Sequence, residues 1–314
     1  MNGKRIGTSK SGAWTMRSGD PPPPAFFALE RAPLGDRVVG VDLGGLAFSL
    51  EGLDDDLAGA LRDRFGIWAA ERVPGALRVK VGREERVCFL EPAAEPEFTA
   101  VFLACDGDRV RYLSYRVAGW FDAGPGGEGR LLLSRGGSEP ALRSFENYVR
   151  AAVAWQAASL GGALVHAASA VRDGKGYLFY GESGAGKSTF AEVNRRGTIL
   201  SDDLSVVLPG EGGRPELLGS PFRGTYEEGA PVRGRFPLAA AFRLVKGERA
   251  AVVSVPRVLA FGQLVGNLAF LAEAFDARPD LFASVERAFA KVPLRQLRFR
   301  KDDSYWDAIE EAGL

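Results

Sequence analysis

Apolar and polar positions fall into two textures along the chain. VVGVDLGGLAFSLEG alternates on either side of Gly44-Gly45 and predicts a hairpin. Asp54, Asp55 and Asp56 then precede Leu57, Leu61, Phe65 and Trp68. Acids ahead of an i, i+4 apolar pattern mark a helix start. From Ala76 to Leu133 the texture is strand-like, through ALRVKV, RVCFLE, FTAVFLA, VRYLSYRV and RLLLS. Turns at Asp106-Gly107-Asp108 and Gly124-Pro125-Gly126-Gly127 divide these runs. Residues 25–136 therefore predict a small, mostly antiparallel α+β domain, with a substrate or partner as its expected ligand.

A second texture follows Gly136-Gly137-Ser138-Glu139-Pro140. Leu142, Phe145, Val149, Val153 and Ala157 predict a helix over 141–160, ended by Gly161-Gly162. Next come a strand in ALVHAASAV, a turn at Asp173-Gly174, a strand in GYLFY, a glycine loop and a short helix. TILSDDLSVVL reads as one strand region, and AAFRLVKGE and AAVVSVP as further strands. Helices are expected around 257–274 and 279–290, an extended PLRQLRF, and a terminal helix in DSYWDAIEEA. This second domain spans 137–314. Residues 1–24 are small and polar, end in Pro21-Pro22-Pro23-Pro24, and read as a disordered leader, with Met1 or Met16 as the start.

Composition narrows the chemistry. Forty Lys and Arg balance 40 Asp and Glu, so no broad attraction to nucleic acid or an anionic membrane is expected. No apolar run has the length of a membrane-spanning helix, and the opening residues lack a signal-peptide core, so a cytoplasmic location is the expectation. Two cysteines, Cys88 and Cys105, exclude a disulfide framework and cannot alone make a structural zinc site. The single histidine, His166, excludes multi-histidine metal sites.

The glycine loop is the sharpest feature. Gly181-Glu182-Ser183-Gly184-Ala185-Gly186-Lys187-Ser188 fits G-x-x-x-x-G-K-[ST], the P-loop or Walker A pattern, with an apolar strand before it and a helix opening at Thr189 after it. Glycines let backbone N–H groups turn inward around phosphate oxygens. Lys187 would reach the β- and γ-phosphates of ATP, and the Ser188 hydroxyl would ligate Mg²⁺. Ser201-Asp202-Asp203-Leu204 follows Ile199-Leu200 at a strand end. One carboxylate of that pair would hold Mg²⁺, directly or through water. The other would accept the proton of an attacking hydroxyl. An exposed turn with two solvated acids is the competing reading. His166, within Leu164-Val165-His166-Ala167-Ala168, reads either as a satisfied core residue or as a neighbour of the phosphates.

A histidine-bearing strand, then GESGAGKS, then SDD resembles the catalytic domain of HPr kinase/phosphorylase, and more closely the HPr-kinase-related kinases, over roughly 140–310. The resemblance implies an α/β C-terminal P-loop kinase domain of the HPr kinase type behind the small α+β domain. It implies Asp203 as proton acceptor, Asp202 as assisting the metal, Lys187 as the phosphate lysine, Ser188 as a metal ligand and His166 beside the active site. The family forms ring-like oligomers, so a homo-oligomer is implied too. Where the family carries a metal-binding glutamate before Arg-Gly, Pro221 stands before Phe222-Arg223-Gly224, leaving Glu216 as the substitute. The stretch tied to HPr transfer is missing, which argues against HPr as substrate and against phosphorolysis. Arg223 is a candidate for phosphoryl charge, and Arg295, Arg298 and Arg300 alternate on a strand that reads mainly as solvated. The expected function is ATP-dependent, Mg²⁺-assisted phosphoryl transfer to the hydroxyl of a small molecule or a peptide serine. The alternatives are an ATPase and a nucleotide-gated binding protein.

Overall fold

Asp54 sets the first helix by the rule the sequence anticipates. Its side chain accepts a hydrogen bond from the Leu57 N–H at 3.0 Å, and Asp55 and Asp56 occupy the first turn of α1 (Asp55–Phe65). Gly66, with φ +51°, ends that helix in a backbone conformation that favours glycine. α1 buries Ala58, Leu61 and Phe65, and Phe65 meets Phe48 edge-on at 5.6 Å. The computed structural model describes residues 7–8, 14–15, 30–85, 88–89, 101–136, 140–224, 226, 229–271, 274–276 and 278–314. The leader, most of RVCFLE and the start of FTAVFLA lie outside them, apart from a two-strand ladder of β1 (Gly7–Thr8) and β2 (Trp14–Thr15).

The chain divides into two units. One holds the residues up to Asp42 together with Leu46–Val153; the other holds Leu43–Gly45 and Ala154–Leu314. The first is built on β3 (Arg37–Asp42), β4 (Ala47–Leu53), β5 (Ala69–Ala70), β6 (Leu77–Glu84), β7 (Phe102–Asp106), β8 (Arg109–Leu113), β9 (Val117–Asp122) and β10 (Glu128–Ser134). Their order is β5-β3-β4-β6-β10-β9-β8-β7. All pairings are antiparallel except those of β6 with β4 and β10. Along β6 exposed Arg78 and Lys80 alternate with buried Leu77, Val79 and Val81, the period-2 signature of a half-covered strand. The predicted helix forms as α2 (Ala141–Ser159). Its Tyr148 is buried and donates to the Trp120 carbonyl at 2.6 Å.

The second unit contains β11 (Ala163–Arg172), β12 (Lys175–Tyr180), α3 (Lys187–Val193), β13 (Thr198–Ser201), β14 (Leu204–Pro209), β15 (Pro215–Leu218), β16 (Arg235–Lys246), β17 (Ala251–Val253), α4 (Arg257–Val265), α5 (Pro279–Phe289), β18 (Leu294–Phe299) and α6 (Tyr305–Glu311). Strands run β12-β11-β14-β15-β16-β18-β17, with β13 on β11. Because β12 also pairs with β16, five strands (β11, β14, β15, β16 and β12) close into a ring. The core on one face stacks Phe179 on Phe190 at 3.9 Å and on Phe242 at 5.5 Å, with Tyr305 and Trp306 of α6 beside them.

The expected α/β P-loop kinase domain of the HPr kinase type, behind a small α+β domain, is therefore corrected. The protein is β-rich, with two eight-stranded sheets, one carrying a five-stranded barrel, and six α-helices among the described residues. The reason lies in the turns. Asp173 and Gly174 have φ of +51° and +73°, the conformation of a tight two-residue hairpin, so β11 and β12 pair antiparallel. Parallel strands would need a crossover at such a point. Among the described residues, parallel pairing in this unit is confined to β12 with β16 and β16 with β18.

Candidate active site

β12, β16 and β18 run parallel, so their C-terminal ends open on one edge. Gly181 leaves β12 after Tyr180, which lies in register with Arg243 of β16 and with Ala167 of β11. Gly184 and Gly186, at φ +76° and +107°, curl the loop, and α3 begins at Lys187. Gly186 has a second reason to be glycine. A Cβ there would come within 2.8 Å of the Phe299 ring, so the loop rests directly on the end of β18.

Lys187 is buried, and its ammonium donates to the carbonyls of Gly181 at 2.8 Å and Glu182 at 3.4 Å. Burial lowers its pKa from the ordinary value, while the charge of Asp203 pulls the other way. An ammonium has three N–H donors, so these two bonds leave a third for an anion.

Ser201 organises the acid pair. Its hydroxyl donates to the Phe222 carbonyl at 2.7 Å and accepts from the backbone N–H groups of Asp203 and Leu204, both at 3.2 Å. The predicted single strand region TILSDDLSVVL is thereby broken into β13 and β14 at Asp202-Asp203. Asp202 is buried, and each of its oxygens accepts a backbone N–H, from Gly224 at 2.7 Å and Tyr226 at 3.0 Å. Asp203 turns toward the glycine loop instead. Its Oδ1 lies 3.6 Å from Nε2 of His166, whose side chain is 52% exposed and so is not the core residue of the competing reading. The Ala167 N–H donates to the Asp203 carbonyl at 2.9 Å, and the His166 N–H donates to the Asn267 carbonyl at 2.7 Å, which fixes both backbones.

One cleft of about 420 Å³ gathers His166, Ser183, Gly184, Gly186, Lys187, Ser188, Thr189, Asp202 and Asp203, together with Gly224, Lys246 and Lys301. Gly181 and Ala185 shape the loop from behind, and exposed Glu182 lies 3.6 Å from Arg243. Other candidates sit elsewhere. Arg223 donates to the carbonyls of Gly229 and Ala230, both at 3.2 Å, and Glu216 accepts from Arg235 at 2.6 Å. Arg300 pairs with Asp302, Arg295 donates to the Leu294 carbonyl, and Arg298 is exposed. Sequence reasoning missed Ser201 as an organiser, Gly224, Lys246 and Lys301. Ser201 stands next to the acid pair and was within reach; the other three come from distant segments that strand pairing brings in. Among the described residues no group of three or more His, Cys, Asp or Glu side chains could hold a metal, and no helix is long and apolar enough to cross a membrane.

Residues 144–313 match the family model described as SynChlorMet cassette protein ScmC, over half of the chain, and the chain belongs to that family. No curated protein matches it. The match corrects the resemblance to HPr kinase/phosphorylase, and the HPr-kinase-like and P-loop kinase labels fall with it. The glycine pattern is real as a sequence, but it is seated here on a barrel strand of a β-rich unit, and a short pattern does not name a fold.

Proposed function

From a member of the ScmC family with these groups around one cleft, we propose an ATP-dependent phosphotransferase acting on a hydroxyl acceptor, a small molecule or a peptide serine. The observation that carries this reading is the cleft that Asp203 shares with Lys187 and the glycine loop. In the reaction, the acceptor oxygen attacks the γ-phosphorus and its proton passes to the Asp203 carboxylate. The bond from the γ-phosphorus to the bridging oxygen breaks, and its electron pair leaves with ADP. Lys187, which shares the cleft with the glycine loop, offsets charge on the transferring group. His166 gives the proton on Asp203 a path to solvent. Asp202 holds the backbones of Gly224 and Tyr226 against the acid pair.

Mg²⁺ fits this site as part of the nucleotide substrate. It keeps several waters and needs few protein ligands beside phosphate oxygens. Ser188, whose side chain is exposed at the cleft, would hold it, with Asp202 assisting through water. When bound, the ion neutralises phosphate charge.

The test is transfer of label from γ-labelled ATP to serine peptides and hydroxylated metabolites. Label on an acceptor, lost in Lys187→Ala, is the expected result. Label appearing only as inorganic phosphate would replace this reading with the ATPase alternative.

A further inference from the structure

Lys246 and Lys301 line the same cleft but have no part in the reaction just described. Lys246 ends β16 and lies in register with Phe299, and Lys301 follows two residues later. Both are exposed, and among the described residues neither has an acidic partner within 4.0 Å. The two acids that follow Lys301 in the chain have partners of their own. Asp302 serves Arg300 and Ser304, and Asp303 lies 3.5 Å from Arg196. Two lysines at neighbouring strand ends in one cleft suit a ligand of high negative charge density.

The order of the strands gives these charges a direction. The glycine loop leaves β12. On one side, β11 and the β13–β14 junction carry His166 and Asp203; on the other, β16 and the end of β18 carry Lys246 and Lys301. Resting on the phosphotransferase reading above, we infer that Lys246 and Lys301 grip the phosphates of the leaving ADP. ATP then lies across the edge with its γ-phosphate toward Asp203 and its β- and α-phosphates toward β16 and β18. The acceptor enters on the His166 side. When the bridging bond breaks, the electron pair comes to rest on the β-phosphate, where the two ammonium groups offset it.

The experiment is calorimetric titration of the full chain with Mg·ATP, Mg·ADP and AMP, in wild type, Lys246→Gln and Lys301→Gln, with melting curves to verify folding. Each substitution is expected to weaken ATP and ADP by the same factor, about tenfold, as for one charge-assisted hydrogen bond. The ATP-to-ADP affinity ratio stays constant, and AMP is affected least. Weaker ATP binding with unchanged ADP binding would place the lysines at the γ-phosphate and overturn the inference. Unchanged binding of both nucleotides would overturn it while leaving the phosphotransferase reading intact. A wild type that binds neither nucleotide would overturn both.

Discussion

At the scale of single residues, the site depends on groups that touch no phosphate. Ser201 makes three hydrogen bonds while 1% exposed, and its removal takes an acceptor from the Asp203 N–H, while the Leu204 N–H still donates to the Phe222 carbonyl at 3.3 Å. Ser201→Ala is expected to cost about 1–3 kcal/mol, read by chemical denaturation, and to loosen Asp203. Gly224→Ala would bring a Cβ to 2.9 Å from Asp202 Oδ2 and 3.1 Å from Asp203 Cβ, so it should lower phosphoryl transfer more than nucleotide affinity. Lys187 supplies a pH signature. Burial holds its pKa below the ordinary 10.5, against the attraction of Asp203. The folded chain therefore binds that proton more weakly than the unfolded chain, and this contribution to stability rises with pH from the depressed value up to 10.5. Asp203→Asn removes the attraction, so the midpoint of Lys187 acylation against pH should fall; an unmoved midpoint would separate the two charges. At this scale the sequence was informative because pattern residues are close in the chain. It was silent on Lys246 and Lys301, which look like ordinary surface lysines until strand register lines up their ends.

At the scale of elements, α3 is only seven residues long and is held at both ends by side chains from elsewhere. Phe299 lies against Gly186 at its start. At its end Asn194 accepts from the Tyr305 hydroxyl at 3.1 Å and the Trp306 indole at 2.9 Å, and donates to the Gly197 carbonyl. Asn194→Ala would strand two buried aromatic donors, for an expected loss of about 2–4 kcal/mol in equilibrium unfolding. Gly186→Ala would add a Phe299 clash to a φ of +107°, about 1–3 kcal/mol of backbone strain alone, and should abolish nucleotide binding in calorimetry. Periodicity identified β3, β4, α1, α2, β11, β12 and α5 closely, since each carries its own pattern and punctuation. It failed at the helix expected over 257–274. α4 stops at Val265, because 267–269 leaves to pair with β11 through Asn267, Leu268 and Ala269. That pairing supports the backbone of His166 and is a long-range contact with no local signal.

At the scale of the whole molecule, local patterns named strands without naming their partners. The resemblance to HPr kinase implied an α/β domain. The Asp173-Gly174 hairpin and the pairing of β12 with β16 close a barrel instead. The cleft nevertheless forms at an edge where parallel strands end. All of its lining lies in the second unit, so nucleotide binding should stabilise that unit. At a free concentration 100 times its Kd the gain is about 2.7 kcal/mol, seen as a higher Tm by scanning calorimetry. Lys187→Ala should remove the shift.

One comparison decides whether Asp203 is the base of a transfer reaction: single-turnover experiments with γ-labelled ATP and a responsive acceptor, on wild type and Asp203→Asn, beside nucleotide titrations of both. Expected is unchanged nucleotide affinity with acceptor labelling reduced about 100- to 10,000-fold, the range for loss of a general base. Equal labelling in the two proteins would contradict the assignment of Asp203.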